Sequence, residues 1–396
     1  MASEQVLRSD PAPRVSLINN PAFRGIAYQL LAFAALFAFI VWIVNNTQEN
    51  LARIGRTISF GFLDERAGFD IGQTLIPYSA DSDYWTALAV GLINTLVIAA
   101  VGIVTATIIG FIIGIGRLSR NWLVRTFCTV YVELFRNIPP LLVIFFWYLG
   151  VLAILPQPRD ALNLPFGALL SNRGLTIPVP VWGEGSWLVG VAFLAAIAMS
   201  FFVARTARAR QMATGQRFPV FWTCVGLLVG LPLLALAAAG FPLSFDVPIP
   251  GPFQARGGMM VAPEFLALYL SLSLYTASFI AEIVRAGIGG VGRGQSEAAF
   301  ALGLRPGTTT RLVVVPQAMR IIVPPLTSQY LNLTKNSSLA IAVGYPDLVS
   351  VGGTILNKSG NSIQIVAIWM VVYLTISLLM SAFMNWFNAR VALVER

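Results

Sequence analysis

Long apolar runs separated by short connections of one dominant charge sign set the pattern of this chain. With roughly 20 apolar residues needed for a helix to cross a bilayer, eight segments reach spanning length: 26–44, 87–116, 130–155, 187–203, 220–240, 265–288, 321–344 and 365–387. They predict an all-α, polytopic transmembrane protein of about eight spans. The second run continues for about 30 residues without a charge, more than a bilayer needs, so it must tilt or project beyond the membrane. Gly110 and Gly114 in that run leave room for a close helix neighbour. The first run is long enough to span and is followed by no small-residue cleavage site, so it reads as a retained anchor and not as a signal peptide.

Charge orients the spans. Arg8, Arg14 and Arg24 precede the first; Arg117, Arg120 and Arg125 follow the second; Arg205, Arg208, Arg210 and Arg217 lie between the fourth and fifth. The alternate connection at 45–84 is acidic instead, with Glu49, Asp64, Glu65, Asp70, Asp81 and Asp83, while 156–186 and 241–264 are rich in Pro and Gly. The positive-inside rule then puts both termini and residues 285–320 in the cytoplasm. Two regions look added to a five-helix core. Residues 1–84 hold the cytoplasmic N-terminus, first span and outer loop; 85–388 form the core domain, interrupted by a two-span insertion at about 156–264; 389–396 form a cytoplasmic tail.

One polar interruption stands out. Residues 297–318 read EAAFALGLRPGTTTRLVVVPQA. Ser296 is placed to cap a helix with Glu297 in its first turn, Ala298, Ala299 and Ala301 favour that helix, and Gly303 stops it before Pro306-Gly307. The surface from Glu297 to Leu304 is small and apolar, suited to lying in a partner's groove. The spacing EAA, three residues, Gly, nine residues, then Val313, any residue, Val315 and Pro316 resembles the cytoplasmic EAA loop of permease subunits of ATP-binding-cassette (ABC) importers.

Flanking blocks narrow the resemblance. Tyr275-Thr276-Ala277-Ser278-Phe279-Ile280-Ala281-Glu282-Ile283-Val284-Arg285-Ala286-Gly287-Ile288, Asn332-Leu333-Thr334-Lys335-Asn336-Ser337-Ser338-Leu339 and Tyr131-Val132-Glu133-Leu134-Phe135-Arg136-Asn137-Ile138-Pro139 are similar to the branch for polar and general L-amino acids. Asn137-Ile138 stands where that branch has Gly-Thr, which leaves the tightness of the turn open. The resemblance covers about 85–155 and 265–388 and implies the type I importer fold in the bacterial inner membrane. It also implies partners: a second, related permease, two cytoplasmic ATPase subunits that hold the ATP and Mg, and a periplasmic amino-acid-binding protein. Glu297, Ala298, Ala299, Gly303 and Pro316 would then couple the chain to the ATPases.

The same blocks can be read from the residues alone. Glu282 and Arg285 share a helix face, and their pair is either structural or a gate. Lys335 falls inside the seventh span, where an ammonium needs a partner, water or a route to the interface. It therefore either lines the pathway or snorkels. Asn332, Ser337 and Ser338 beside it could bind a zwitterion's carboxylate or bond helix to helix. Arg136 with Pro139-Pro140 reads as an interfacial anchor followed by a kink.

Composition removes other functions. The chain is 57% apolar and 11% charged, and its net +9 is spent on arginines beside membrane spans, not on a nucleic-acid surface. It has no histidine, only Cys128 and Cys224 as cysteines, and no GxxxxGK[ST] loop. No catalytic triad, metal site or bound cofactor is expected, and lipid is its surroundings. The alternative is a self-sufficient secondary transporter, supported only by Pro324-Pro325 and Lys335 in one span.

Overall fold

A computed structural model describes residues 21–53, 59–216 and 218–391. Arg8, Arg14, Arg217 and the tail from 392 lie outside these. Helix α1 (Pro21–Arg53) is predominantly apolar up to Val44 and polar in its last turns. A compact loop with a single 3-10 turn follows and leads into α2 (Tyr84–Gly116). Asp83 starts α2 by accepting the Thr86 amide at 2.7 Å, and the Thr86 hydroxyl together with that amide holds its carboxyl below the usual carboxylate range.

The third expected span is broken. Helix α3 (Trp122–Arg136) and α4 (Pro140–Phe145), the latter continued by a π-helical stretch to Leu152, meet at 108°. Pro139 and Pro140 supply no amide to continue α3, and Asn137 seals its end by donating from Nδ2 to the Glu133 carbonyl at 2.7 Å. The turn is thus tight even without Gly-Thr.

The insertion departs from a purely helical reading at its base. Strands β1 (Leu162–Asn163), β2 (Leu169–Ser171), β3 (Gly174–Ile177) and β4 (Val179–Trp182) precede helices α5 (Trp187–Thr214) and α6 (Val220–Ala238). Strands β5 (Leu243–Asp246) and β6 (Met259–Val261) close the segment. All pairings are antiparallel, in the orders β1-β2-β3-β6 and β4-β5. Leu243 is the register partner of Trp182, so the α5–α6 hairpin leaves and re-enters at one point. Strands this short, rich in Pro and Gly at their ends, carry too little period-2 pattern to be seen in the sequence.

The remainder is helical: α7 (Pro263–Gly289), α8 (Arg293–Ala301), α9 (Pro306–Thr309), α10 (Val315–Asn336), α11 (Leu348–Ser359) and α12 (Ser362–Val391). Among the described residues six helices are individually long and apolar enough to span, and eight spans result if each bent pair counts as one. Residues 389–391, expected in the tail, continue α12. Lys358, which falls between the seventh and eighth expected spans, sits in the last turn of α11.

The core centres on α2 and α7, which run side by side in parallel. A Cβ at Gly110 would meet Ile280 at 2.6 Å, and one at Gly114 would meet the Ala281 carbonyl at 2.7 Å. Glycine there brings the two backbones together, as the sequence reading anticipates. Helix α10 packs antiparallel on the same pair, burying Ile322, Val323 and Leu333. A second cluster joins Phe62, Leu63 and Ala67 of the first loop to Tyr84, Leu348 and Ile355. Cys128 and Cys224 are both free thiols, the former buried.

Candidate functional site: the EAA helix and the polar groups of the core

The end of α7 and the start of α10 hold α8 between them. Its residues are helical for the reasons of composition given above, but its start differs from expectation. The helix begins at Arg293 with Gly292 as N-cap and no side-chain cap, so Ser296 lies inside it and Glu297 in its middle. The chain after Gly292 is free of β-branched residues up to Leu302, and nothing stops the helix from starting a turn early.

The C-terminal stop is as expected. Gly303 adopts a left-handed φ of 75°, its amide bonds to the Phe300 carbonyl at 2.9 Å, and the Leu304 amide reaches Ala299 at 3.1 Å. These two bonds form a Schellman motif. Pro306 then opens α9, where its missing amide costs nothing.

Within α8 only Ala299 is buried, and it faces the body of the protein. Glu297, Ala298, Phe300 and Leu302 are exposed, Leu302 at 81%. A Gln317–Gln295 bond of 3.1 Å ties α8 to α10. Pro316 lies within the first turn of α10, directly after a π-helical stretch, Thr310–Val314. A proline ring collides with the carbonyl four residues earlier in a regular helix, and the wider turn relieves that collision.

Near this end of the bundle Glu282 and Arg285 pair, with Nε to Oε2 at 3.1 Å, and Arg117 of α2 bonds the same carboxylate. Arg117 also approaches Glu133 at 3.9 Å, and Arg136 lies 5.6 Å over the Phe279 ring. Four charges from α2, α3 and α7 thus form one network around a half-buried Glu282. Sequence reasoning found the i,i+3 pair and missed Arg117, 165 residues from Glu282, and with it Glu133, since nothing local marks a contact at that separation.

The structure divides the expected polar cluster in α10. Asn332 and Lys335 are exposed, and Lys335 lines a cavity of about 400 Å³ with Ser338, Val349, Trp369, Met370 and Tyr373. Ser337 is buried and donates to the Thr334 carbonyl at 2.7 Å. On that buried side lies a group the sequence reading overlooked. Asp347, fully buried, caps α11 by accepting the Ser350 amide at 2.8 Å, while its Oδ2 makes no hydrogen bond. The Tyr373 hydroxyl is also buried and makes no hydrogen bond. Thr95 accepts the Leu348 amide at 3.0 Å, and Asn94 donates to the carbonyls of Gln73 and Pro346. Pro346-Asp347 with Ser350 three residues on is the cap signal that could have located Asp347.

Comparison with known proteins fits this architecture. Residues 189–393 match the family described as binding-protein-dependent transport system inner membrane component. The chain is 63% identical to the general L-amino acid transport system permease protein AapQ of Rhizobium johnstonii, over 96% of this chain and 95% of the relative. It is 50% identical to the putative amino-acid ABC transporter permease protein YhdX of Escherichia coli K12, over 95% and 96%. To the glutamate/glutamine/aspartate/asparagine transport system permease protein BztB of Rhodobacter capsulatus it is 44% identical, over 98% and 100%. A multi-pass helical chain with a stapled EAA helix and relatives of this length and identity belongs to the family of ABC-importer permease subunits, the inner-membrane components of binding-protein-dependent transport systems.

Proposed function

We propose that this permease moves polar or general L-amino acids across the inner membrane, with both termini cytoplasmic and with energy supplied by separate ATPase subunits through α8. The observation that carries the coupling half is the exposed face of that helix. Ala299 anchors it, Gly303 ends it, and Glu297, Ala298, Phe300 and Leu302 are left uncovered on a short rigid projection. A short helix presenting small and apolar groups with one acid is the form that fits a partner's groove. The cargo rests on the similarity to amino-acid permeases. A second permease, probed below through the uncovered spans, and an extracytoplasmic binding protein complete the proposed assembly. ATP and Mg belong to the ATPases, and the sequence provides no phosphate-cradling loop of its own.

Glu297→Lys and Gly303→Asp test the coupling. No atom lies within 4 Å of a Cβ built at Gly303, so the new side chain meets none of the protein's own core; its φ of 75° strains the Asp backbone, and Glu297→Lys, which carries no such strain, is the control. Both variants should remain in the membrane yet lose ATPase co-purification and ATP-dependent amino-acid uptake by about 30-fold or more, the scale of an interface hot spot. Full uptake by either variant would overturn the assignment.

A further inference from the structure

The end of the molecule opposite α8 contains a cavity of about 490 Å³ that neither the coupling helix nor the Lys335 cavity touches. Three separate parts of the chain build it. The first loop contributes Phe69 to Gln73, the base of the insertion contributes Arg173 and Met260, and the core contributes Glu264 and the Gly344 to Pro346 turn. Its size falls in the ~300–1,000 Å³ range of small-molecule sites.

The placement of its one cation is fixed by backbone geometry. Arg173 occupies the turn between β2 and β3, where Gly174 takes φ 114° and presses so closely on the Val261 carbonyl of β6 that no Cβ would fit. The Asn172 amide ties the turn to the Pro156 carbonyl at 2.9 Å. Glu264 lies in the first turn of α7, its Oε1 accepting the Tyr148 hydroxyl at 3.1 Å. Asp70 comes from the loop, which Lys358 and the Tyr78 hydroxyl hold through backbone carbonyls, the latter bonding to Phe69 at 2.8 Å. Among the described residues, none of Asp70, Arg173 and Glu264 makes an ion pair, with one another or with any other group.

One guanidinium and two carboxylates around an open cavity, Arg173 and Asp70 exposed and Glu264 half-buried, with Phe69, Ile71 and Met260 beside them, match a ligand that carries both charges. We propose that this cavity binds a zwitterionic amino acid, its carboxylate toward Arg173 and its ammonium toward Asp70 and Glu264. A guanidinium binds carboxylate through paired, charge-assisted bonds. The proposal rests on the amino-acid reading above and gives the two added regions a common task, since each supplies one of the charges.

L-Glutamine is the probe. In cells carrying the whole importer, Arg173→Gln should raise the KM for L-glutamine uptake about 10-fold, the worth of one charge-assisted bond, with a smaller change in maximal rate. Arg173→Lys should recover part of it. A second measurement uses the full chain in nanodiscs with Cys128→Ala, Cys224→Ala and Thr354→Cys, which places a thiol in the cavity wall. L-Glutamine should slow modification of that thiol, and 4-aminobutanamide, which lacks the carboxylate, should not. Wild-type uptake with an unchanged KM in Arg173→Gln, or equal protection by both compounds, overturns this site alone. Absence of any amino-acid uptake by the wild type overturns the cargo reading, and this site falls with it. Should Arg173→Gln be lost from the membrane, the protection experiment decides.

Discussion

The α2–α7 seam and the α5–α6 hairpin are both apolar helix pairs, yet they are built on opposite terms. The seam is closed by glycines, at Gly110 and Gly114, and by half-buried hydroxyls such as those of Thr105 and Tyr269, which hydrogen-bond across it at 2.9 Å. The hairpin has large apolar groups all round, with no buried residue in α6, and packs almost entirely on itself. Helix α1 is likewise uncovered. In a bilayer, apolar surface gives no drive for helices to associate, so close backbone approach and polar contacts mark where a fixed interface lies. By that measure the core is a fixed interface within one chain, while α1 and the hairpin face lipid or the second permease. The loop after α1 belongs with the core. Phe62, Leu63 and Ala67 are buried against α2 and α11, so the first addition divides into an uncovered span and a fitted loop.

The contrast is sharpest for a bulky residue in a glycine position. Gly110→Leu should destabilise the purified protein by about 3 kcal/mol or prevent folding, because its Cβ alone would collide with Ile280. Gly230→Leu in α6, where nothing lies within 4 Å, should leave the melting temperature unchanged. Equal losses would erase the distinction.

The charged network comes next. Glu282→Ala leaves Arg117, whose side chain is 11% exposed, without its close partner. Removing one member of a buried pair costs about 3–5 kcal/mol, and the partial exposure of Glu282 reduces this to about 2 kcal/mol. Thermal melts of Glu282→Ala and of Glu282→Ala with Arg117→Met should differ, the double variant recovering part of the loss. If it recovers nothing, the network is not what holds α2, α3 and α7 together at this end.

A smaller effect is expected where the first loop meets the core. Lys358 bonds the carbonyls of Ala67 and Gly68 and lies 5.3 Å over the Phe69 ring. Lys358→Met should cost about 1 kcal/mol and raise protease sensitivity within 61–83. The least effect is predicted for excision. Replacing 183–242 by a two-residue turn joins β4 to β5 in register and should leave the core's melting temperature within a degree or two, while altering association with a second permease. A large drop in stability would show that the hairpin supports the core after all.

What could be read beforehand follows from how local each signal is. The spans, the Gly303 stop and the Gly110/Gly114 contact were legible because each is a period or a residue type whose meaning needs no distant partner. The start of α8 was not, since Gly292 and Ser296 are both acceptable caps and no residue between them forbids the earlier start. Arg117 on Glu282, Thr95 on the Leu348 amide and the Arg173 cavity join residues far apart in sequence, and no local pattern encodes their meeting. The β-strands at the insertion's base were hidden for another reason: two to four residues are too few to display alternation.

The register pairing of Trp182 with Leu243 bears on how such a protein is made. A segment whose two ends coincide is, for the rest of the chain, a closed loop. It adds two crossings and so leaves the direction of every later span unchanged. The membrane-insertion machinery can deliver α5 and α6 together as one self-packed unit, and α4 can find α7 as if nothing lay between them. A permease can therefore gain or shed this hairpin in one step without renegotiating which side of the membrane α8 faces.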